Sequence, residues 1–242
     1  MLLHTRGIVF RALKYGETSV IADIFTEEKG LRSFIGGGVR TAKARMPFGL
    51  FQPMTVVDLV CYFRDTDEHL NRLKEMRTSE VMGQIPFDIR RGAVALFMAE
   101  LCRKSIHAGE ENPALFEFLL DNLRWLDASP HAVSNVHLHF MAHLSGHLGF
   151  QPHGEPGREQ YLDLQEGVFL SEQPQHAQYI GPQQAMPLLE LMHTPLELCH
   201  EVPLDRAERK ALLNGLLKFY QLHVPGFSDI HTPDVLEMVM EG

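Results

Sequence analysis

The hydrophobic pattern of this chain changes its period once, near residue 80. Before that point apolar and polar residues alternate in short runs, as they do along a strand with one buried face. From about residue 86 onward apolar residues recur at helical spacing. The pattern predicts an α+β protein in which a small β domain, residues 1–80, precedes a mostly α-helical domain, residues 81–242.

Turn-like segments separate the strand-length runs of the first domain, which are TRGIVFRAL, SVIADIFT, LRSFI, TVVDLVCYF and HLNRLKEM. Five short antiparallel strands favour a small closed β-barrel. Alternation along the fourth run places its apolar residues on one face, namely Val57, Leu59, Cys61 and Phe63. Asp58 and Tyr62 fall on the opposite face.

The second domain contains segments of helical period at residues 89–107, 112–126, 129–150, 204–223 and 232–240. Asn112 and Pro113 form an N-cap and first helical position, and Thr232 with Pro233 repeats that arrangement. A Pro-, Gly- and Gln-rich insertion, residues 151–180, separates the third and fourth of these segments. Its segment YLDLQEGVFLS predicts a hairpin that turns at Glu166 and Gly167.

Charge divides along the same line as the hydrophobic period. The net charge of the chain is −9, yet residues 1–80 contain 12 Lys and Arg against 10 Asp and Glu, whereas the remainder contains 10 against 21. No Asp or Glu occurs from Lys29 through Val57, a stretch that includes GGGVRTAKAR. The acidity therefore belongs to the helical half, and this stretch is the most basic surface that the sequence predicts.

Three glycines beside basic residues raise the possibility of an anion site. A nucleotide phosphate loop requires Gly-Lys-Ser/Thr directly before a helix, whereas Gly38 is followed by Val39 and Arg40 and preceded by a barrel strand. A mobile basic loop on a small barrel instead suits the backbone of single-stranded nucleic acid. The expected phosphate contacts are Lys29, Arg32, Arg40, Lys43 and Arg45, with Lys14, Arg72 and Lys74 as second choices.

Base stacking requires aromatic rings that are exposed on the barrel. Phe34 lies between Arg32 and the glycines and is the candidate stacking residue, and Tyr15 and Tyr62 are comparable. Each ring could also belong to the core, where aromatic side chains are commonly found.

His139, His143 and His147 share one helical face, a spacing that could hold a metal ion. Because Phe140 and Leu144 lie in the neighbouring apolar stripe and no carboxylate is interleaved, histidines beside a packed helix seam are the default interpretation.

The three cysteines form no CxxC pair, so neither disulfides nor a cysteine zinc site is indicated. No nucleophile elbow or pair of catalytic carboxylates is present in the sequence, which predicts a protein without enzymatic activity.

The segment MLLHTRGIVF reaches Arg6 without a long apolar core, and no run approaches the ~18 apolar residues of a membrane span. We expect a cytoplasmic protein that does not act at a membrane.

Four segments resemble the RecO family of bacterial DNA-repair proteins, namely TRGIVFRALKYGETSVIADIFTEEKGLRSFIGGGVRTAKAR, AVALFMAELCRKSI, HLGF and GFSDIHTPDVLEMV. The resemblance covers nearly the whole chain and is most specific in its opening block. It implies an OB-fold barrel, a helical domain and no enzymatic turnover. It also implies that the protein binds single- and double-stranded DNA and anneals complementary strands. With RecR, and in some settings RecF, such a protein helps to load RecA onto DNA covered by single-stranded-DNA-binding protein.

The chain departs from the family pattern in its insertion. Many members carry a four-cysteine zinc finger there, but no cysteine occurs between Cys102 and Cys199, so that zinc site cannot be transferred. We expect the hairpin to hold the insertion together without a metal or other cofactor, although His153 and His176 are conceivable substitutes.

The resemblance further implies that the C-terminal tail of single-stranded-DNA-binding protein docks in an apolar pocket with a basic rim. Two sets could supply that rim, either Arg90, Arg91, Arg103 and Lys104 on the first long helix or Arg206, Arg209 and Lys210 on a later one. Two rival functions remain open: a metal-dependent hydrolase built on the three histidines, and a protein-interaction scaffold whose barrel does not bind DNA.

Overall fold

The computed structural model describes residues 1–41, 44–65, 70–154 and 161–240. The chain forms two compact units, residues 1–127 and 128–242. The first contains the strands of the predicted β domain together with two helices. Residue 80 therefore marks the change from strand to helix, and a separate domain at residues 1–80 stays a prediction.

Five strands close into a barrel in the order β1-β2-β3-β5-β4. They are β1 (Leu2–Tyr15), β2 (Ser19–Thr26), β3 (Gly30–Gly36), β4 (Val56–Tyr62) and β5 (Asn71–Glu80). Neighbouring strands are antiparallel, except that β3 and β5 pair in parallel where Phe34 and Ile35 lie beside Asn71 and Arg72. This short pairing closes the barrel, which confirms the five-stranded barrel that the sequence predicts.

Strand alternation fills the barrel with apolar side chains. In β4 the residues predicted to share a face, Val57, Leu59 and Cys61, are buried together with Phe63. Tyr62 on the opposite face is exposed. Each apolar side chain of this size contributes about 1.5–3 kcal/mol when it leaves water, so the barrel has its own stabilising core.

The segment between β3 and β4 is anchored to the barrel by buried side chains. Val39, Met46 and Phe51 belong to the barrel core, and a 3₁₀ helix, Phe48–Phe51, precedes β4. Gly38 has a φ of 69°, a conformation that favours glycine because it has no Cβ. The exposed Arg40 and Arg45 directly follow and precede the buried Val39 and Met46, which hold them against the barrel.

Two helices, α1 (Ile89–Ser105) and α2 (Pro113–Ala128), accompany the barrel. The side chain of Asn112 accepts a hydrogen bond from the Leu115 N–H at 2.9 Å, which confirms the predicted N-cap of α2. Phe116 of α2 stacks on Phe25 of β2 with ring centroids 6.3 Å apart. Helix α2 therefore covers an apolar part of the outer barrel surface.

The second unit contains α3 (Val136–His147), β6 (Tyr161–Asp163), β7 (Val168–Leu170), β8 (Tyr179–Ile180), α4 (Pro182–His193), a 3₁₀ helix (Leu196–Glu201), α5 (Arg206–His223) and α6 (Thr232–Met240). Helix α3 is buried along most of its length and contacts α4 and α5. Strands β6 and β7 form the predicted hairpin, with Gly167 at a φ of 68° in its turn.

The sequence pattern predicts neither α4 nor β8. Helix α4 carries prolines at positions 182 and 187, the first at its N-terminus and the second inside it, and proline within a helix ordinarily indicates a break. Strand β8 has two residues and pairs with β6. None of the helices in the described ranges has the length and apolar content that crossing a bilayer requires.

Candidate nucleic-acid interface

A groove of about 1250 Å³ opens on the barrel where β3 and β4 end and β5 begins. We call it the basic groove, because its described lining contains no carboxylate and four cationic side chains, Arg45, Arg64, Arg72 and Lys74. Gly37 and Gly38 of the triple-glycine segment also line it, as does Tyr62. Anions are therefore attracted to this groove from several sides.

The backbone determines where each of these cations lies. Arg72 and Lys74 flank the buried Leu73 on β5, so alternation turns both of them away from the barrel core. Arg64 follows β4, and its N–H donates to the side-chain oxygen of the buried Asn71 at 2.8 Å. Arg45 precedes the buried Met46.

The cations of the basic groove are largely available to a ligand. Among the residues that the structure describes, no carboxylate forms an ion pair with Arg45, Arg64 or Arg72. Lys74 lies 3.7 Å from its neighbour Glu75, a separation at which an exposed pair contributes little. The four cations of the basic groove carry like charges, so their mutual repulsion would diminish when an anion enters the groove.

A second groove of about 840 Å³ lies on the same barrel and shares Arg45 and Lys74 with the first. We call it the mixed groove, because Glu27, Glu28, Asp58 and Glu75 also line it. Its cations Arg6 and Arg77 are engaged in ion pairs.

Arg6 binds Glu27 at 2.8 Å and Glu117 at 2.5 Å, and its guanidinium lies 5.1 Å from the centre of the Phe116 ring. These hydrogen bonds from Arg6 hold the pKa of Glu27 below its ordinary value. Arg77 donates to Asp58 at 3.2 Å. Arg6 and Arg77 are thus paired with carboxylates, unlike Arg45, which the mixed groove shares with the basic groove and which no described carboxylate pairs.

Three of the sequence-predicted phosphate contacts, Arg45, Arg72 and Lys74, lie in the basic groove. Arg40 and Lys14 are exposed but do not line it. Lys29 forms an ion pair with Glu111 at 2.6 Å. Lys43 lies outside the described residues.

Two predicted residues are corrected by the geometry of β3. Phe34 is fully buried in the barrel core, so it is no stacking platform. Arg32, two residues earlier and on the same face, is only 9% exposed. It pairs with Asp65 at 2.8 Å and lies over the Phe63 ring at 5.6 Å, which leaves it unavailable as a phosphate contact.

Sequence reasoning missed Arg64, because this residue opens the acidic turn RDTDE.

Tyr62 and Tyr15 are equivalent candidates for base stacking in the sequence, but they differ in their position relative to the basic groove. Both rings are exposed, but only Tyr62 lines the basic groove.

Three basic residues, together with Asp234 and Glu237, line a pocket of about 180 Å³ between α5 and α6. We call it the α5–α6 pocket. Its rim contains the predicted set Arg206, Arg209 and Lys210, and its apolar wall contains Leu213, Leu236 and Met240. Lys210 and Arg206 lie 2.5 and 3.9 Å from Glu237 on α6. The predicted rim residues of α5 therefore converge on an apolar cavity.

The alternative rim on α1 is largely occupied by contacts within the first unit. The guanidinium of Arg91 donates to the backbone carbonyls of Leu126 and Asp127 at the end of α2, which corrects its assignment as a rim residue. Lys104 pairs with Glu100 at 3.4 Å. Arg90 is exposed and Arg103 half-buried, and neither lines one of the cavities described above.

The histidines of α3 are packed among other side chains. The His139 and His143 ring centroids lie 4.1 Å apart, and His139 Nε2 is 3.0 Å from the carbonyl oxygen of Thr194. Burial lowers the pKa of His139 to about 4, which keeps the ring neutral. No group of three or more His, Cys, Asp or Glu residues is arranged to hold a metal ion within the described ranges.

In the insertion, His176 contacts the carboxylate of Asp163 at 3.0 Å. Burial alone would raise the pKa of Asp163, but N–H groups of Glu166 and Gln165 and the His176 ring hold it below its ordinary value. This pair links β6 to the segment that precedes β8.

Two family models match the chain in succession. The model described as Recombination protein O N terminal matches residues 1–82, and the one described as Recombination protein O C terminal matches residues 86–228. The chain is 35% identical over its whole length, and over the whole of the relative, to the DNA repair protein RecO of Bacteroides fragilis. It is 33% identical to that of Phocaeicola vulgatus over 98% of both chains, and 29% identical to that of Flavobacterium psychrophilum over 99% of both.

Proposed function

The chain belongs to the RecO family of DNA-repair and recombination proteins, and we propose that it is a recombination mediator whose OB-fold barrel binds DNA in the basic groove. The observation that carries this proposal is the set of four cations along a groove whose described lining contains no carboxylate. The protein acts by binding, and no bond-making step is assigned to it.

Binding would proceed by neutralisation of phosphates. Arg45, Arg64, Arg72 and Lys74 replace condensed counterions on the DNA backbone, and their release favours association. A strand held this way carries less net charge, so a complementary strand meets less repulsion when it approaches. Annealing of complementary strands follows from that screening.

The α5–α6 pocket supports a second contact, with the C-terminal tail of single-stranded-DNA-binding protein. The second unit is acidic, with 14 Asp and Glu against 5 Lys and Arg in residues 128–242. Yet three of its four described cations line this pocket, and only Lys218 lies elsewhere. The lining also contains Asp234 and Glu237, so an incoming peptide carboxylate would compete with Glu237 for Arg206 and Lys210. A cavity of ~150 Å³ can hold a benzene ring, so this pocket suits an acidic peptide that ends in a large apolar residue.

Further partners follow from the family rather than from a surface of this chain. The mediator would work with RecR, and in some settings RecF, to assist RecA loading onto DNA covered by single-stranded-DNA-binding protein. Such work on chromosomal DNA takes place in the bacterial cytoplasm.

The DNA-binding proposal is tested by removing three charges from each of two places. The first variant carries Arg45→Gln, Arg64→Gln and Arg72→Gln in the basic groove. The matched control carries Arg11→Gln, Arg77→Gln and Arg124→Gln, three arginines of the same unit that are paired with carboxylates. Fluorescence anisotropy with a labelled oligothymidine at low salt should show at least ~10-fold weaker binding for the first variant only. Equal losses in both variants would show that the effect comes from net charge. No loss in either would mean that DNA binds outside the basic groove, and no binding by the parent protein would favour the scaffold alternative.

The peptide contact is tested with Arg206→Glu against Lys218→Glu, which changes an equal charge outside the pocket. A synthetic acidic peptide ending in phenylalanine should bind the first variant about 10-fold more weakly than the parent. An equal effect of Lys218→Glu would remove the pocket from the proposal.

A further inference from the structure

The described lining of the basic groove contains one aromatic side chain, that of Tyr62. Tyr62 is the last residue of β4, and its side chain is 55% exposed. Neither its ring nor its hydroxyl contacts a described aromatic ring or hydrogen-bonding group. An exposed ring that has no partner among the described residues is therefore a candidate contact for a ligand.

The position of Tyr62 places cations around this ring. Arg72 is its direct cross-strand neighbour on β5, and Arg64 follows it by two residues. Both arginines line the same groove. Leu70, exposed and also in the lining, adds apolar surface. The arrangement combines a π-face, an apolar contact and phosphate-binding cations.

Only unpaired bases can use such a platform. In a duplex the faces of the bases are covered by their neighbours in the stack, and an approaching protein meets the backbone and the groove edges. In a single strand every base offers a face that can stack on an aromatic ring, whatever its identity. A ring beside the cations thus gains contacts from single-stranded DNA that duplex DNA cannot make.

We propose that Tyr62 stacks on an unpaired base and makes the basic groove prefer single-stranded over duplex DNA without reading sequence. This inference rests on the proposed function, since it needs DNA in the basic groove. Tyr62 is a binding residue here, and Arg45, Arg64 and Arg72 position the backbone beside it.

Tyr15 provides a matched control within the same barrel. It is 54% exposed, lies at the end of β1, and does not line the basic groove. Tyr62→Leu removes the ring but keeps an apolar side chain, whereas Tyr62→Phe keeps the ring. Tyr15→Leu removes an equally exposed ring that lies outside the basic groove.

The experiment measures the affinity of each variant for a labelled oligothymidine and for the same strand annealed to oligodeoxyadenosine. Tyr62→Leu should bind the single strand about 10-fold more weakly, the size of one lost base stack, with the duplex affinity unchanged. Tyr62→Phe and Tyr15→Leu should retain both affinities.

Two results for Tyr62→Leu would overturn the inference, and the triple glutamine variant shows whether the proposed DNA site fails with it. Unchanged single-strand binding by Tyr62→Leu, when the triple glutamine variant of the basic groove has lost affinity, would discard the stacking role and leave the groove in place. Equal losses for single strand and duplex would discard the strand preference. If the triple variant also binds normally, the groove itself is the wrong site.

Discussion

The basic groove and the mixed groove lie on one barrel and share Arg45 and Lys74, but they use their other arginines differently. In the mixed groove Arg6 and Arg77 are bound to carboxylates. In the basic groove Arg64 and Arg72 have no described carboxylate as a partner. Cations of the first kind are neutralised by neighbouring carboxylates, whereas those of the second kind have no described carboxylate to neutralise them and can serve a ligand.

The comparison shows why the number of basic residues is a poor guide to a DNA surface. Lys29 and Arg32 each carry one positive charge, as Arg64 and Arg72 do, yet each is paired with an acid distant in sequence. An ion pair both neutralises a cation and fixes its side chain. What distinguishes the proposed DNA surface of the barrel is therefore positive charge that no described carboxylate neutralises.

The largest effect on stability is expected for Arg6. Arg6→Met removes hydrogen bonds to Glu27 and Glu117 and leaves both carboxylates without their partner, which should lower the free energy of unfolding by about 2 kcal/mol. Arg72→Met, in the basic groove, should change it by less than about 0.5 kcal/mol. Urea unfolding of the whole chain measures both. Equal losses would mean that the two grooves do not differ in their contribution to the fold.

A smaller effect is expected when a carboxylate is removed from the mixed groove, which should then bind DNA more strongly. Asp58→Asn removes the carboxylate that neutralises Arg77, so affinity for single-stranded DNA at low salt should rise about 3-fold. Asp121→Asn is the control, because it makes the same change of charge on α2 while Arg124 keeps Glu80 as a partner. A similar rise in the control would show that the effect comes from overall charge.

The smallest effect concerns pH. Because Arg6 lowers the folded-state pKa of Glu27, this pair stabilises the protein above the ordinary carboxyl pKa of about 4.3, and the stabilisation is lost as the pH falls through the folded-state value. The difference in unfolding free energy between the parent and Glu27→Gln should therefore be constant near neutral pH and shrink in acid. A difference that persists undiminished at low pH would contradict this assignment.

The period of the sequence was sufficient to predict the barrel, because alternation at positions such as Val57, Leu59 and Cys61 directly reflects a buried strand face. The same rule applied to β3 would have placed Arg32 on the face of Phe34 and warned against both as ligand contacts. The sequence pattern does not predict α4, because a proline such as Pro187 ordinarily indicates the end of a helix and here lies inside one.

The groove could not be read from the sequence for a different reason. It is formed where β3 lies beside β5, a parallel pairing of segments that are far apart in the chain. That pairing places Arg72 beside Ile35 and the triple-glycine segment, while the pairing of β4 with β5 places Arg72 opposite Tyr62. The ion pair of Lys29 with Glu111 likewise joins residues 82 positions apart.

The most direct test of the central claim is the salt dependence of DNA binding. For the parent protein, the logarithm of the affinity for oligothymidine should fall linearly with the logarithm of the salt concentration. The triple glutamine variant of the basic groove should reduce that slope by about 2, given roughly 0.7 per phosphate contact on a single strand. The control triple of paired arginines should keep the parent slope. An unchanged slope in the basic-groove variant would contradict the assignment of these cations to the DNA backbone.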